Sequence, residues 1–373
     1  MQEFDIAIIG GGIAGLSLAY FLGDKRSVVV LEREHGLGYH ATGRSAAEFL
    51  LGYSHPEVSR LSAVAKEFFD APPEGFADVP LLRRRGSLIV AGADKGERLR
   101  EAFDEETRRG GKPQMLTVEE ALERAPVLDP SYVAHVFYDP DFWDIEVDAL
   151  LQGYARGARR AGTEIRENIE VLSARYDGDR WRVSTNAGEI SARVVVNAAG
   201  AWADHVATLF GVAPQGIVPH RRTAILVDLP EGIDAASLPE INELDEDFYF
   251  KPDGGRLLAS PADETPSDPC DAQPEEIDVA WAAHYIEEAT TIRVQRVVKS
   301  WAGLRSFSPD RLPVIGMAPD QPAFFWLAGQ GGFGILSSPA LGRLAASMLT
   351  GDGLPDPHLR HGVDPARFRP GRF

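Results

Sequence analysis

A single cysteine, Cys270, occurs in 373 residues. One thiol excludes an intrachain disulfide and any zinc or iron–sulfur site built from several cysteines, and it fits a reducing compartment. Positive charge is also scarce: 38 Lys and Arg stand against 56 Asp and Glu, a formal net charge of −18. Such a surface repels phosphate backbones and anionic lipid, which argues against nucleic-acid and membrane-surface roles while leaving room for a local basic pocket. The only stretch that could be mistaken for a membrane or targeting segment is the uncharged run Ile6 to Gly23. Three consecutive glycines interrupt that run, and Glu3 and Asp5 precede it. It therefore reads as a buried strand followed by a buried helix, not as a signal peptide or membrane span. There is no internal repeat or low-complexity tract, and the histidines show no metal-ligand spacing. With 44% apolar and 25% charged residues the composition is that of a soluble globular enzyme, long enough for two domains. The expectation is a soluble, cytoplasmic protein without a metal or a membrane span.

What is present begins at the N-terminus. The run Phe4–Ile9 is rich in β-branched residues, as a central parallel strand requires. Gly10-Gly11-Gly12-Ile13-Ala14-Gly15 follows, then a helical pattern ending at Gly23, then the strand Ser27–Glu32. This is a βαβ unit carrying Gly-x-Gly-x-x-Gly in its first turn, where glycines let the backbone approach a pyrophosphate lying on a helix N-terminus. Glu32 ends the second strand, placed to accept hydrogen bonds from an adenosine ribose and to repel a 2′-phosphate. The fingerprint alone fits NAD or FAD. An NAD domain usually runs on contiguously, whereas here a different kind of segment interrupts it from about residue 46.

Further along, the pattern predicts helices near 57–69, 146–160 and 338–349, strands near 87–90, 170–174, 180–185, 193–200, 223–227, 248–251, 256–260 and 324–327, and an acidic, proline-rich loop over 261–277. The predicted fold class is α/β (α+β): a Rossmann-like FAD-binding domain with a discontinuous, mainly antiparallel β-sheet substrate domain. Residues 1–45, 142–215 and 300–373 are assigned to the first, and 46–141 and 216–299 to the second.

Several segments carry a family resemblance. His40-Ala-Thr-Gly-Arg-Ser-Ala-Ala47, Val195-Val-Asn-Ala-Ala-Gly-Ala-Trp202, Trp301-Ala-Gly-Leu-Arg305 with Pro313–Gly316, and Gly329-Gln-Gly-Gly-Phe-Gly334 resemble, in order and spacing, the flavin-binding segments of FAD-dependent amino-acid oxidoreductases of the D-amino-acid-oxidase superfamily. Within it the chain is most similar to bacterial D-arginine dehydrogenases, with glycine oxidases and monomeric sarcosine oxidases further away. The resemblance implies FAD as cofactor and oxidation of an amino acid to an imine that water hydrolyses. It implies cofactor contacts from Gly10, Gly12, Ile13, Ala14, Gly15, Glu32 and Arg33. It adds Thr42, Gly43, Arg44, Ser45, Ala46 and Ala47, then Val171, Ala199, Gly200 and Trp202. The last segments contribute Gly303 and Arg305, and Gly331, Gly332, Phe333, Gly334 and Ile335. Backbone donors of 329–334 and the positive end of a helix after Ser337 would stabilise charge gained by the flavin ring.

Such a reaction needs a fixed carboxylate and a neutral amine, and bidentate carboxylate capture suits arginine. By the same resemblance Arg305 and Arg222 take that role, Tyr53 and Tyr249 line and cover the site with hydroxyls, and the Gly332 carbonyl faces the amine. Glu48, Leu50 and Ser87 match side-chain-pocket positions. Ser87 stands where D-arginine dehydrogenases carry a carboxylate for the guanidinium, so the expected substrate is a D-amino acid with a neutral or apolar side chain, with basic D-amino acids as the first alternative. Cys270 is expected to be an exposed bystander far from the flavin. His40 matches a flavinylated histidine of some relatives, but its neighbours resemble the non-covalent ones, so FAD is expected to be held non-covalently. The electron acceptor (oxygen, quinone or a redox protein) stays open.

Overall fold

The computed structural model describes residues 1–52 and 55–373. An eight-stranded sheet forms the nucleotide unit. Strand Gln2–Ile9 runs parallel to Val28–Leu31 on one side and Gly188–Asn197 on the other, and Phe324–Ala328 continues parallel to the end of the latter. The N-terminal run is buried on both faces: Ile6 and Ile8 enter one core cluster, Ala7 and Ile9 another. That double burial explains why it reads as a continuous apolar run without alternation. Helices Ile13–Leu22, Val147–Arg160 and Gly334–Thr350 cover the first of these cores.

A ten-stranded, mostly antiparallel sheet forms the second unit. Its central path runs from Lys299–Phe307 through Val218–Val227, Arg256–Ser260, Tyr249–Asp253 and Glu240–Glu243 to Ser87–Ala91. Alternation sorts its two faces. Leu88, Ile225, Ile241, Phe250 and Ala259 bury against helices Val118–Arg124 and Glu276–Ala289. The residues between them, including Arg222, Tyr249 and Ser87, point to the other face.

Three features differ from the sequence reading. Strand Lys299–Phe307, placed with the nucleotide part from residue 300, pairs along Val218–Val227 and belongs to the second sheet. Helix Pro56–Asp70, placed in the substrate part, buries Val58, Leu61, Phe68 and Phe69 in the core of the nucleotide unit, because its apolar stripe matches the groove left by the flanking helices. The last long helix begins at Gly334, not at Ser338, so its N-terminus lies inside the glycine-rich loop. Among the described residues no helix is long and apolar enough to cross a membrane, and no group of three or more His, Cys, Asp or Glu is placed to hold a metal.

Candidate active site

The first turn of the βαβ unit is built by close backbone contacts. Gly10 has φ +109, and a Cβ there would run into the carbonyl oxygen of Ala198; one on Gly15 would run into the carbonyl of Gly10. Gly15 therefore packs behind the turn instead of lining it. Glu32 is locked as an acceptor: its carboxylate takes the N–H of Gly11 at 2.6 Å and that of Glu34 at 2.8 Å. A cavity of about 470 Å³ opens here, lined by Gly10, Gly12, Glu32, Arg33, Val171, Ala199 and Trp202, with the Arg33 guanidinium 4.4 Å above the Trp202 ring.

Thr42–Arg44 forms one 3₁₀ turn that straps this cavity. Thr42 Oγ1 accepts the N–H of Ile13 at 3.1 Å. Arg44 donates to the carbonyls of Ala272 and Ala302 and pairs with Asp271, while Trp301 Nε1 donates to the Arg44 carbonyl at 3.0 Å. The strap is thus fixed from the second unit. Gly12, Thr42, Arg44, Gly200 and Gly303 also line a second cavity of about 150 Å³, so the two cavities adjoin and line up as one channel-like row along these residues.

The far end of that channel is where the predicted substrate residues meet. Arg222, Arg305, Tyr249 and Gly332 line it together with Ile13, Ala14, Ser45, Ala46, Gly331, Gly334 and Ile335. Gly332 packs closely there: a Cβ would sit 3.1 Å from Arg305 Nη1, so the guanidinium would have to shift by a few tenths of an ångström. The helix Gly334–Thr350 starts at this wall and aims its positive end into the cavity. Arg222 is the unusual group. Its Nε is shut off from water without a hydrogen-bond partner, and it forms no ion pair among the described residues. Burial first, then the neighbouring Arg305 cation, lowers its pKa. The two guanidinium groups repel one another, and an anion bound near them relieves that repulsion.

Other expectations come out differently. Gly43 and Ala47 line a separate cleft, and Phe333 packs into the nucleotide core. Cys270 is exposed yet lines the cavity that Glu32 also lines, together with its loop neighbours Pro269 and Ala272. His40 pairs with Glu34 at 2.9 Å and lies against Trp202 at the same end, while among the described residues no Cys or His lines the Arg222 cavity. Tyr53 lies outside the described residues. Glu48, Leu50 and Ser87 do not line the Arg222 cavity. Leu50 packs against the nucleotide core instead. Ser87 is buried, and its Oγ accepts from Asn242 Nδ2 at 2.9 Å.

The sequence reading missed what surrounds Ser87. Glu240 stands opposite it in register, fully buried; Oε1 accepts from Asn242 at 3.1 Å and Oε2 has no partner. Burial, then the nearby Glu48, pushes the Glu240 pKa well up, which favours the neutral acid. Lys251, two residues beyond Tyr249, donates to the Ala46 carbonyl at 2.5 Å and to Asp144 at 3.1 Å, with Glu48 3.8 Å away. Burial opposes its charge, but Glu48, Glu240 and Asp144 hold its pKa above the ordinary value. A carboxyl group is therefore present beside position 87 after all, supplied by a strand more than a hundred residues away. Its only local signal is the alternation Glu240-Ile-Asn242, with the polar pair on one face.

A βαβ phosphate turn, a ribose acceptor and a channel running from them to a basic pocket under a second sheet define an oxidoreductase that carries a dinucleotide flavin. The chain belongs to the FAD dependent oxidoreductase family, whose pattern matches residues 5–348. It is 28% identical to the glycine oxidase of Geobacillus kaustophilus over 93% of both chains. It is 26% identical to human mitochondrial dimethylglycine dehydrogenase over 91% of this chain and 42% of that one. The crystal structure of the Geobacillus glycine oxidase superposes with a TM-score of 0.86 at 24% identity over the whole of both chains, and L-proline dehydrogenase from P. horikoshii with 0.83 at 22% over 98% of each. These two show the fold. The cofactor is FAD, and the chain fits it: glycine-lined turn, locked Glu32 and adjoining cavities occur where its parts would lie. These relatives include a glycine oxidase and a dimethylglycine dehydrogenase and no D-arginine dehydrogenase, so the finer resemblance to D-arginine dehydrogenases is not supported by them.

Proposed function

We propose that this chain oxidises the Cα–N bond of a D-amino acid, giving an imino acid that hydrolyses to a 2-oxo acid and ammonia. The observation that carries the reading is Arg222, a half-buried cation whose Nε is shut off from water without a hydrogen-bond partner, lining one cavity with Arg305. A substrate carboxylate supplies the missing charge, and two guanidinium groups fix it bidentately. FAD, when bound, supplies the hydride acceptor. Arg222 and Arg305 orient the carboxylate, the Gly332 carbonyl accepts from the amine, Tyr249 closes the site with its hydroxyl, and the apolar walls exclude water. A neutral side chain is expected from Ser87 together with an apolar Leu50, but Glu240 stands beside Ser87 and Leu50 packs on the nucleotide core, so neutral and basic side chains both belong in the test. FAD is held non-covalently, supported by the absence, among the described residues, of Cys and His from the Arg222 cavity lining. The single cysteine and acidic surface support a cytoplasmic location.

A second reading, oxidation of glycine or an N-methylglycine with release of hydrogen peroxide, is favoured by the similarity to glycine oxidases and by the small cavity of about 150 Å³. Anaerobic bleaching of the bound flavin by D-amino acids, L-amino acids, glycine and sarcosine separates these readings, and peroxide yield in air separates oxidase from dehydrogenase. Bleaching by none of them overturns both.

A further inference from the structure

The strap continues from Arg44 through Ser45 and Ala46, which line the Arg222 cavity, and its carbonyls are taken one by one. Trp301 Nε1 donates to the Arg44 carbonyl, the Ile145 N–H donates to that of Ala47, and between them Lys251 Nζ donates to the Ala46 carbonyl at 2.5 Å. Lys251 is only 5% exposed. A buried ammonium is a costly way to satisfy one carbonyl, since a neutral donor would meet it without desolvating a charge. What sets this carbonyl apart is the residue after it. Ala47 has φ +49, the left-handed region that a residue with a Cβ rarely enters. Such a conformation persists only where its neighbours over-determine it. Here they do so on both sides: Ser45 Oγ accepts the Ala47 N–H at 3.0 Å, and the carbonyls of Ala46 and Ala47 are both held. Ala46 in turn packs on the cluster of Ala224, Tyr249 and Leu258, and Lys251 lies two residues beyond Tyr249 on the same strand.

We propose that Lys251 is a positioning residue: it clamps the strained turn at Ala47 and so fixes the Ser45–Ala46 wall between the cofactor channel and the substrate sheet. Its effect on turnover rests on the amino-acid oxidation proposed above; its effect on FAD rests on the cofactor alone. Lys251 does not line the Arg222 cavity, so it acts through the strap and not on the substrate. Thr42 and Arg44 line the cofactor cavities, whereas Arg222 and Tyr249 stand on the sheet, so the clamp joins the part that seats the cofactor to the part that seats the carboxylate. Hydride transfer falls steeply when those two parts drift by an ångström, while carboxylate capture stays with the two arginines. The charges around the clamp can be separated from it. Asp144 lies 3.1 Å from Lys251 Nζ and also pairs with Arg85, and Glu48 lies 3.8 Å away. Removing Lys251 and the Glu48 charge together therefore leaves Arg85 and Asp144 balanced.

The test uses the FAD-loaded protein in three forms. Glu48→Gln keeps the clamp and is the reference, Lys251→Met added to it removes the clamp, and Ala47→Gly added to both removes the strain that the clamp opposes. Anaerobic stopped-flow gives the limiting rate of flavin reduction and the dissociation constant of the amino acid, and the fluorescence of freed cofactor gives the rate of FAD release. Lys251→Met should slow the limiting rate and speed FAD release about tenfold each, the scale of the left-handed penalty for a residue with a Cβ. The amino acid's dissociation constant should stay within about twofold. Ala47→Gly should bring both rates back to within about threefold of the reference, because glycine enters the left-handed region freely. Rates unchanged by Lys251→Met overturn the proposal. A loss that Ala47→Gly fails to restore makes Lys251 a structural cation of the acidic cluster and overturns it, as does an effect confined to the amino acid's dissociation constant. If the Lys251→Met protein purifies without flavin, FAD titration replaces the release rate, and Ala47→Gly must restore binding. FAD release reads the clamp even if no amino acid reduces the flavin, so failure of the amino-acid reading stays distinguishable.

Discussion

Replacing Arg222 by Met should separate stability from activity in opposite directions. The side chain keeps its length and most of its apolar contacts but loses a guanidinium whose Nε has no partner and whose charge faces Arg305. Relieving an unsatisfied buried donor is worth about 1–3 kcal/mol, so the variant should unfold at a temperature equal to or a few degrees above that of the parent. The same change strips the substrate carboxylate of one charged partner in a dry site. Truncating one side of such a pair costs about 2–5 kcal/mol, a loss of about 30- to 5,000-fold in kcat/KM. FAD content should be unchanged, because Arg222 lies at the substrate end of the channel. Differential scanning fluorimetry and anaerobic stopped-flow reduction across a substrate series give the two numbers. A variant that is destabilised and keeps its kcat/KM would make Arg222 a structural cation and refute the carboxylate assignment.

Further expectations concern the cofactor and the buried acids. Gly15→Ala forces a methyl into the Gly10 carbonyl and should yield protein that purifies without flavin, checked by its visible spectrum. Glu32→Ala frees the Gly11 and Glu34 amides and removes the ribose acceptor. FAD affinity should fall about 10- to 100-fold by fluorescence titration of the apoprotein, the effect of losing a charge-assisted hydrogen bond. Glu240 has a folded-state pKa raised above its ordinary value of 4.5, so the stability it allows is fully present below that pH and is lost as pH rises through the folded value. Glu240→Gln should therefore gain stability relative to the parent as pH rises, by about 1 kcal/mol or more in urea melts at pH 8, and show no gain at pH 4. Equal differences at both pH values would mean that the folded pKa of Glu240 is not raised.

Legibility in the sequence followed the distance over which each signal acts. The βαβ unit was readable because its strand, glycines, helix and acidic stop lie within the first 32 residues and depend on one another locally. Arg222, Arg305 and Gly332 were placed by resemblance, and the fold brings them into one cavity. The cluster of Glu48, Asp144, Glu240 and Lys251 escaped because it exists only through strand register: Glu240 meets Ser87 through a parallel pairing across more than 150 positions, and no local spacing encodes that. Helix Glu276–Ala289 was hidden by the acidic, proline-rich stretch before it, its buried positions being only Ala282, Ile286 and Ala289. Ser338-Pro339 imitates a helix start, since proline favours the first helical position. The helix in fact begins four residues earlier, where the Phe333 carbonyl accepts both the N–H and the hydroxyl of Ser337.

The central claim is that two guanidinium groups at the flavin end of one channel hold an amino-acid carboxylate. The most direct measurement is the structure of the FAD-loaded protein with a non-oxidisable carboxylate analogue soaked in. The account predicts the carboxylate bridging Arg222 and Arg305 beside Gly332, with the flavin ring along the Gly12–Gly303 channel. A carboxylate bound elsewhere, or an Arg222 turned away from an occupied cavity, would contradict it.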